Sequence, residues 1–234
     1  MDKNIKLNSD LIMNNFFRKI DSYRVPIRER LNPYFGAMRL KKLDNPQFTI
    51  ISNNCWGGHV YRYFNIPYLS PTVGLYFMGD DYVKFVSDLE HYCGCEPKMI
   101  KAEESHNFER LKEQGNTKVP IGLLDNEVEV VFLHNHSDEE AKEKWMRRCE
   151  RICWDNIILK FSEQNYVTPN QLKIVDQLPF DKKVIFTSHD YGLKSQVIYR
   201  EWEGYDQIPD ETTHFRKYVN IINLLNGKPF KKRQ

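Results

Sequence analysis

Short apolar runs alternate with segments of helical spacing along the chain from residue 48 onward. The runs are four to seven residues long and give way to polar residues, which is typical of buried strands. They predict strands at Phe48–Ser52, Val73–Phe77, Lys98–Lys101, Val119–Leu124, Val128–His134, Asn156–Phe161, Val184–Ser188 and Gln196–Tyr199. The fourth and fifth strands are close enough in sequence to predict a hairpin, and the last is expected to join as an antiparallel addition.

Between the strands, apolar residues recur three and four positions apart, as they do on the buried face of a helix. Helices are predicted over Trp56–Phe64 and Asp80–Tyr92, and further helices begin after Ser137, after Thr168 and near Thr212. Ser137 and Thr168 each stand three residues before a Glu or Gln, the pattern of a capping box. The alternation predicts an α/β fold of three layers, in which a mostly parallel, Rossmann-like sheet carries helices on both faces.

The same pattern divides the chain into three parts. Residues 1–47 are predicted to form an N-terminal helical segment, with a helix over 9–24, and a connector. Residues 48–226 form the α/β domain, with halves at 48–124 and 125–226 that share one core. Residues 227–234 are a basic tail.

Composition narrows the class of protein. A hydrophobic content of 41% is typical of globular proteins, and a net charge of +2 argues against a nucleic-acid partner. The sequence shows no apolar run long enough to cross a bilayer and no signal-peptide pattern. Five scattered cysteines indicate reduced thiols and a cytoplasmic location. Basic N- and C-terminal segments predict a weak peripheral contact with anionic membranes.

Four predicted strands end in clusters of hydrogen-bonding or titratable side chains. These clusters are Ser52–Cys55, His134–Ser137, Ser162–Gln164 and Ser188–Tyr191. The carboxyl ends of parallel strands line one crevice, which is the usual ligand site of such a sheet. The clusters are therefore predicted to share a site, although the same polar residues can also serve only as loops and helix caps.

Within this crevice, Cys55 is a candidate nucleophile. A thiol at a helix N-terminus is favoured as the thiolate, and His59 follows one helical turn later. The candidate catalytic residues are Cys55, His134, His136, His189 and Asp190. The alternative is that Cys55 is a small buried residue that fills space beside Trp56.

The remaining candidates would bind ligand rather than react with it. Gly57 and Gly58 allow the backbone to approach a phosphate or sugar, although close helix–strand packing explains the pair equally well. The predicted ligand-binding residues are Ser52, Asn53, Asn54, Gly57, Gly58, His59, Ser162 and Ser188. No metal site and no cofactor are predicted, and the ligand class is a nucleotide-sugar or a phosphate. The sequence gives no indication of an oligomeric state.

Several of these stretches together resemble a known family. They are SNNCWGGHVYRYFNIPYLSPTVGLYF (Ser52–Phe77), DDYVKFVSDLEHY (Asp80–Tyr92), FLHNHSDEEAKEKWMRRCERI (Phe132–Ile152), NIILKF and the strand before SHDY. Over residues 48–190 the chain is similar to the bacterial family called domain of unknown function 1919, whose members are often labelled exopolysaccharide-biosynthesis proteins. The resemblance implies an α/β fold and an association with surface-glycan genes. It supplies no catalytic residues.

Three functions are compatible with these patterns. The first is a cytoplasmic enzyme of exopolysaccharide or capsule biosynthesis, acting on an activated sugar or glycan intermediate. In it, Asn53, Asn54 and the helix start at Gly57 and Gly58 would hold phosphates or hydroxyls. His134, His136 and Asp190 would transfer protons. The second is a Cys/His hydrolase or acyltransferase with Cys55 as nucleophile. The third is an accessory protein that binds a glycan or nucleotide without turning it over.

Overall fold

The computed structural model describes residues 26–27, 30–212 and 214–232. Its strands are β1 (Thr49–Ser52), β2 (Lys98–Ile100), β3 (Ile121–Leu124), β4 (Val128–Val131), β5 (Ile157–Ser162), β6 (Lys182–Thr187) and β7 (Gln196–Ile198). Its helices are α1 (residues 30–40), α2 (Trp56–Phe64), α3 (Gly79–Ser87), α4 (Leu89–Gly94), α5 (Phe108–Glu113), α6 (Asp138–Cys149), α7 (Pro169–Gln177), α8 (Phe215–Tyr218) and α9 (Ile221–Leu225). The helix predicted over residues 9–24 lies outside the described residues.

The predicted α/β fold is confirmed by a parallel sheet of four strands in the order β1-β5-β6-β7. Thr49 of β1 stands opposite Ile157 of β5, and Ile158 of β5 stands opposite Lys182 of β6. All three neighbouring pairs are parallel, so the four strands end at the same edge of the sheet. The expectation that β7 adds antiparallel is wrong, because Gln196–Ile198 pairs with β6 in parallel register.

Alternate side chains along the parallel strands enter two separate cores. One set packs with α2, α8 and α9, and the other with α3, α6 and α7. The first set includes Ile50, Ile158 and Val184, and the second Ile51, Leu159 and Ile185. This two-residue alternation is the reason that both sheet faces are apolar and both are covered by helices.

A second sheet is antiparallel, with strand order β2-β3-β4. The predicted hairpin is confirmed, because Ile121 pairs with Val131 and Leu124 with Val128 across a tight turn. Positive φ angles at Asp125 (48°) and Asn126 (57°) fit a turn that asparagine and aspartate tolerate well. The hairpin therefore does not belong to the parallel sheet, contrary to the expectation that β4 ends beside β5 and β6.

The strand predicted at Val73–Phe77 does not form, apart from an isolated bridge between Tyr76 and Val131. The preceding loop protects the outer edge of β1 with side chains instead of a backbone ladder. Ser70 Oγ donates to Ile50 O (2.6 Å), and Thr72 Oγ1 accepts from Ser52 N (3.0 Å). The edge of the sheet is therefore closed without another strand.

Two predicted helices are interrupted. Asp88, with φ −140° and ψ 62°, separates α3 from α4. The last helix stops at Val219, which forms a bridge with Lys231 before α9 begins. Both capping residues are confirmed, since Ser137 Oγ accepts from Glu140 N and Thr168 Oγ1 from Gln171 N. None of the helices in the described part of the chain has the length and apolarity that a membrane span requires.

Tyr82 connects α3 to both neighbouring strands of the parallel sheet. Its fully buried hydroxyl lies 3.0 Å from Ile51 O and 2.8 Å from Lys160 O. Replacing it with phenylalanine leaves buried carbonyl oxygen without this donor, so Tyr82→Phe should lower the free energy of unfolding by about 1 kcal/mol. Urea denaturation measures the change. Tyr34→Phe is the control, because Tyr34 is exposed; an equal effect of the two variants would contradict the role of the Tyr82 hydroxyl.

Candidate functional site

A buried ion pair lies where β1 and β5 end. Lys160 of β5 and Glu211 are both fully buried, and Lys160 Nζ donates to Glu211 Oε1 at 2.5 Å. The same amine donates to Asn54 Oδ1 (2.7 Å) and to Asn53 Oδ1 (3.3 Å). Burial lowers the pKa of Lys160, and the Glu211 carboxylate opposes this shift. A buried ion pair is shielded from water, so it is stable only where further hydrogen bonds satisfy both charged groups.

Those further bonds come from three other polar side chains. Glu211 Oε1 accepts from Asn54 Nδ2 (2.6 Å) and Ser162 Oγ (2.9 Å), and Oε2 accepts from Gln164 Nε2 (2.7 Å). The second N–H of Asn54 donates to Gln164 Oε1 at 2.6 Å. Two of the predicted strand-end clusters therefore meet, and Glu211 joins them from a distant loop.

The two asparagines after β1 are held by the backbone around them. The side chain of Asn53 extends the pairing of β1 with β5. Its Nδ2 donates to Ser162 O and its Oδ1 accepts from Ser162 N, each at 3.1 Å. Asn54 Oδ1 accepts from Trp56 N (3.1 Å) and so fixes the first turn of α2. Both side chains are buried and have well-defined orientations.

An open cavity of about 250 Å³ lies against this network. It is lined by Asn54, Cys55, Tyr76, Gln114, Asn116, Leu133, Gln164, Asn165, Pro209, Asp210, Glu211 and Thr212. A second chain of hydrogen bonds joins four other lining residues. Asn116 Nδ2 donates to the Tyr76 hydroxyl (3.0 Å), which donates to Gln114 Oε1 (2.8 Å), and Gln114 Nε2 reaches Asn165 Oδ1 at 3.4 Å.

Cys55 lines this cavity, but its surroundings favour the thiol. Burial raises the pKa of Cys55, and Sγ donates to Leu75 O at 3.8 Å. The contacts described for His59 are with Arg62, whose Nη2 lies 3.0 Å from Nδ1 of the ring. A nucleophilic role for Cys55 stays a prediction, which these features do not favour.

Gly57 and Gly58 are both buried within the first turn of α2. A Cβ on Gly57 would lie 3.3 Å from Ile50 Cγ2, and one on Gly58 would lie 3.2 Å from Val73 Cγ1. The glycines thus let α2 approach β1 and the following loop closely. Phosphate binding at these residues stays a prediction, and the packing alternative has a direct structural basis.

The end of β6 forms a separate polar cluster around the buried Glu163. Ser188 Oγ lies 2.8 Å from Glu163 Oε2 and 2.8 Å from His189 Nδ1, while the Tyr191 hydroxyl donates to Glu163 Oε1. Ser188 is fully buried, which keeps its hydroxyl from a substrate. Asp190 is exposed and accepts from Gly192 N (2.9 Å), so it shapes the loop.

His134 and His136 follow β4, which belongs to the other sheet. Both are exposed. His134 N donates to Gly74 O (3.1 Å) and His136 N to Glu140 Oε2 (2.7 Å). The residue from this strand end that lines the cavity is Leu133. A catalytic role for His134 and His136 stays a prediction.

A third polar cluster joins α3 to β4. Asp81 and Glu129 are buried, and the ring of His106 reaches both, with Nε2 3.2 Å from Asp81 Oδ1 and Nδ1 3.1 Å from Glu129 Oε1. The three ligand atoms lie within 4.8 Å of one another, a spacing at which a metal ion could be held. The carboxylates already accept hydrogen bonds from Ser105, Asn107 and backbone N–H groups. The arrangement is that of a satisfied structural cluster.

Lys160 and Glu211, which hold the site together, are not among the residues predicted from the sequence. Lys160 carried a signal, since a lysine within the apolar run NIILKF is almost never fully buried unless paired. Glu211 carried none, because it lies in a polar loop between β7 and α8. Gln114 and Asn116 lie in a polar stretch and were missed for the same reason, whereas Tyr76 was assigned to a predicted strand.

The buried pair predicts strong coupling between its two members. Lys160→Met leaves Glu211 charged and buried, so it should lower the free energy of unfolding by about 3–5 kcal/mol. Glu211→Gln should lower the free energy of unfolding by a similar amount, because it leaves the buried Lys160 amine without its carboxylate partner. The double variant should lose much less than the two single losses together, as measured by urea denaturation of all four proteins. Additive losses would contradict the pairing.

His106 predicts a pH-dependent contribution to stability. Hydrogen bonding to Asp81 is the main cause that raises the pKa of His106. A raised folded-state pKa means that the stabilisation is present below the unfolded value of about 6.5 and is lost as the pH rises through the folded value. His106→Gln should therefore flatten the decline of stability with pH above about 6.5.

Urea midpoints across this pH range measure the effect. The control is His136→Gln, since His136 is exposed and distant in sequence from the cluster; it should keep the decline of the parent protein. A His106→Gln profile that parallels the parent profile would contradict the role of the ring.

Comparison with known proteins gives the family of this chain. Residues 27–226 match the family model described as a domain of unknown function (DUF1919). A protein of Haemophilus influenzae, named "Uncharacterized protein", is 30% identical over 197 residues, which cover 84% of this chain and 87% of the relative. The match includes every strand of both sheets and the whole of the cavity lining. The chain belongs to the DUF1919 family.

Proposed function

We propose that the cavity binds the sugar portion of an activated sugar or glycan intermediate, and that the protein is a cytoplasmic enzyme of exopolysaccharide or capsule biosynthesis. The observation that carries the proposal is the chemistry of the cavity lining. Five of the lining side chains are carboxamides, those of Asn54, Gln114, Asn116, Gln164 and Asn165. A carboxamide both donates and accepts hydrogen bonds, as the hydroxyl groups of a sugar do.

The charges of the cavity favour a sugar over a phosphate. None of the described lining residues is a lysine, arginine or histidine, whereas Asp210 and Glu211 are acidic. The nearby Lys160 amine is paired with Glu211 and is shielded from the cavity by burial. A phosphate group would lack a cationic partner within this lining, so the phosphates of an activated sugar would lie outside it.

The size and rigidity of the cavity fit a single sugar ring. A volume of about 250 Å³ lies below the range of roughly 300–1,000 Å³ for sites of drug-sized ligands. Asn54 and Gln164 are held in place by the ion-pair network, and Gln114 and Asn116 are held by the Tyr76 hydroxyl. Burial raises the pKa of Tyr76 to about 12, so its hydroxyl keeps the proton that it donates to Gln114. Walls ordered before binding reduce the entropy cost of recognition.

If the bound sugar reacts, Asp210 is the carboxylate best placed for proton transfer. Glu211 is committed to the ion pair and to three further donors. Asp210 lines the cavity and is exposed, with Oδ1 accepting from Thr212 N at 2.7 Å. General acid–base catalysis needs such an accessible group within reach of the substrate.

The Cys/His alternative has weaker support. It requires an activated thiol, whereas burial raises the pKa of Cys55 and its hydrogen bond runs to a backbone carbonyl. A binding protein without turnover remains the second candidate, because the ordered amide walls serve binding and chemistry equally. The two are separated by whether a bound ligand is consumed.

The test is a panel of nucleotide-sugars, their free nucleotides and the free monosaccharides, measured by thermal shift and calorimetry. Nucleotide-sugars should raise the melting temperature by mass action, and the matching free nucleotides should not. Asn116→Ala removes one hydrogen-bonding group from the cavity and should weaken binding roughly tenfold. Gln177→Ala, at an exposed amide of α7 outside the cavity, is the control and should bind as the parent does.

Consumption of the same ligand distinguishes an enzyme from a binding protein, and Asp210→Asn should abolish consumption more than binding. Equal shifts with nucleotide-sugars and free nucleotides would contradict recognition of the sugar. Silence across the whole panel would contradict the proposal.

A further inference from the structure

Helix α1 turns its apolar side away from the protein. Leu31, Tyr34, Phe35 and Met38 are 43%, 78%, 40% and 57% exposed, and Ile27 before them is 60% exposed. Their spacing of three and four residues puts them on one side of the helix. Among the described residues, three other large hydrophobic side chains are comparably exposed, and they lie far from this stretch in sequence, at Trp154, Ile174 and Tyr205.

The side of α1 that contacts the protein carries Asn32, Gly36 and Arg39, with Leu40 packed against the α2 core at the end of the helix. A Cβ on Gly36 would lie 2.5 Å from Phe64 O, so the backbone of α1 touches the end of α2. Arg39 Nη1 donates to Tyr63 O (2.5 Å) and to Asn32 Oδ1 (2.8 Å), and its guanidinium stacks 4.0 Å above the Tyr63 ring. These specific contacts fix the orientation of α1. Four of the large apolar side chains of α1 are thus exposed, whereas an ordinary surface helix buries its apolar side.

The excess positive charge of the chain is concentrated in its N-terminal segment, which includes α1. Residues 1–42 carry ten lysines and arginines and four acids, whereas the whole chain carries 34 and 32. The remainder is therefore net acidic. In the described part of this segment, Arg30, Lys41 and Lys42 are exposed on or beside α1. An apolar strip flanked by cations is typical of helices that lie in the interface of anionic membranes.

We propose that α1 docks this protein on an anionic phospholipid bilayer. Leu31, Tyr34, Phe35 and Met38 enter the interfacial region, and the flanking lysines and arginines lie at the level of the headgroups. A lipid surface fits better than a second copy of the chain. A two-fold pair through α1 would bring two cationic segments together, whereas anionic headgroups neutralise them.

Sedimentation of the full chain with vesicles tests the proposal. Vesicles of phosphatidylcholine and phosphatidylglycerol should bind the protein at low salt, and vesicles of phosphatidylcholine alone should bind it far less. Binding should weaken as salt screens the headgroup charge. Leu31→Glu/Met38→Glu should reduce binding to the anionic vesicles by at least about tenfold, since it replaces embedded apolar groups with anions.

Ile174→Glu is the matched control, because Ile174 is an exposed apolar residue of another helix, and it should bind as the parent does. Thermal melting of both variants should match the parent, since all three positions are exposed. Absence of binding, or equal binding to both kinds of vesicle, would overturn the proposal. A concentration-dependent dimer that the α1 variant abolishes, seen by analytical ultracentrifugation, would assign the face to self-association instead.

Discussion

The buried Lys160–Glu211 pair is the constraint on which the candidate site depends. Two charged groups that are buried away from water need hydrogen-bond donors and acceptors around them. The chain meets this need with side chains from three separate segments, which are Asn53 and Asn54 after β1, Ser162 and Gln164 at and after the end of β5, and Glu211 itself. The pair therefore joins the strand ends and the loop before α8 into one unit. Replacing either member of the pair should also disturb the cavity wall, because Asn54 and Gln164 bond to Glu211 and line the cavity.

This origin explains two of the five amides that line the cavity, Asn54 and Gln164. Asparagine and glutamine can neutralise no charge, but they can donate to a carboxylate and accept from an ammonium group at the same time. Asn54 does both, with Nδ2 toward Glu211 and Oδ1 toward Lys160. The same dual character is what a hydroxyl-rich ligand requires. The network that hydrogen-bonds the buried pair thus also supplies amides to the surface that we propose binds a sugar.

The sequence correctly predicts the features that depend on residues close to one another along the chain. The helix starts at Ser137 and Thr168, the hairpin around Asp125 and most strands follow from capping, turn and periodicity rules. The errors concern long-range pairing. The apolar run at Val73–Phe77 looks like a strand, yet Ser70 and Thr72 satisfy the edge of β1 in its place. Lys160 was detectable as a charge in an apolar strand, but its partner, 51 residues away, was not.

Helix α2 relates the two surfaces to which functions are proposed. Its first turn is fixed by Asn54 in the cavity wall, and its last residues, Tyr63 and Phe64, carry α1. Nine helical residues span about 13 Å, so the docking face and the cavity wall lie at opposite ends of one short helix. Gly57 lets that helix pack closely on Ile50 of β1, and Gly58 lets it pack on Val73 of the loop that follows α2. In a protein held to a membrane through α1, the cavity wall at Asn54 would therefore lie at the other end of α2 from the docking helix.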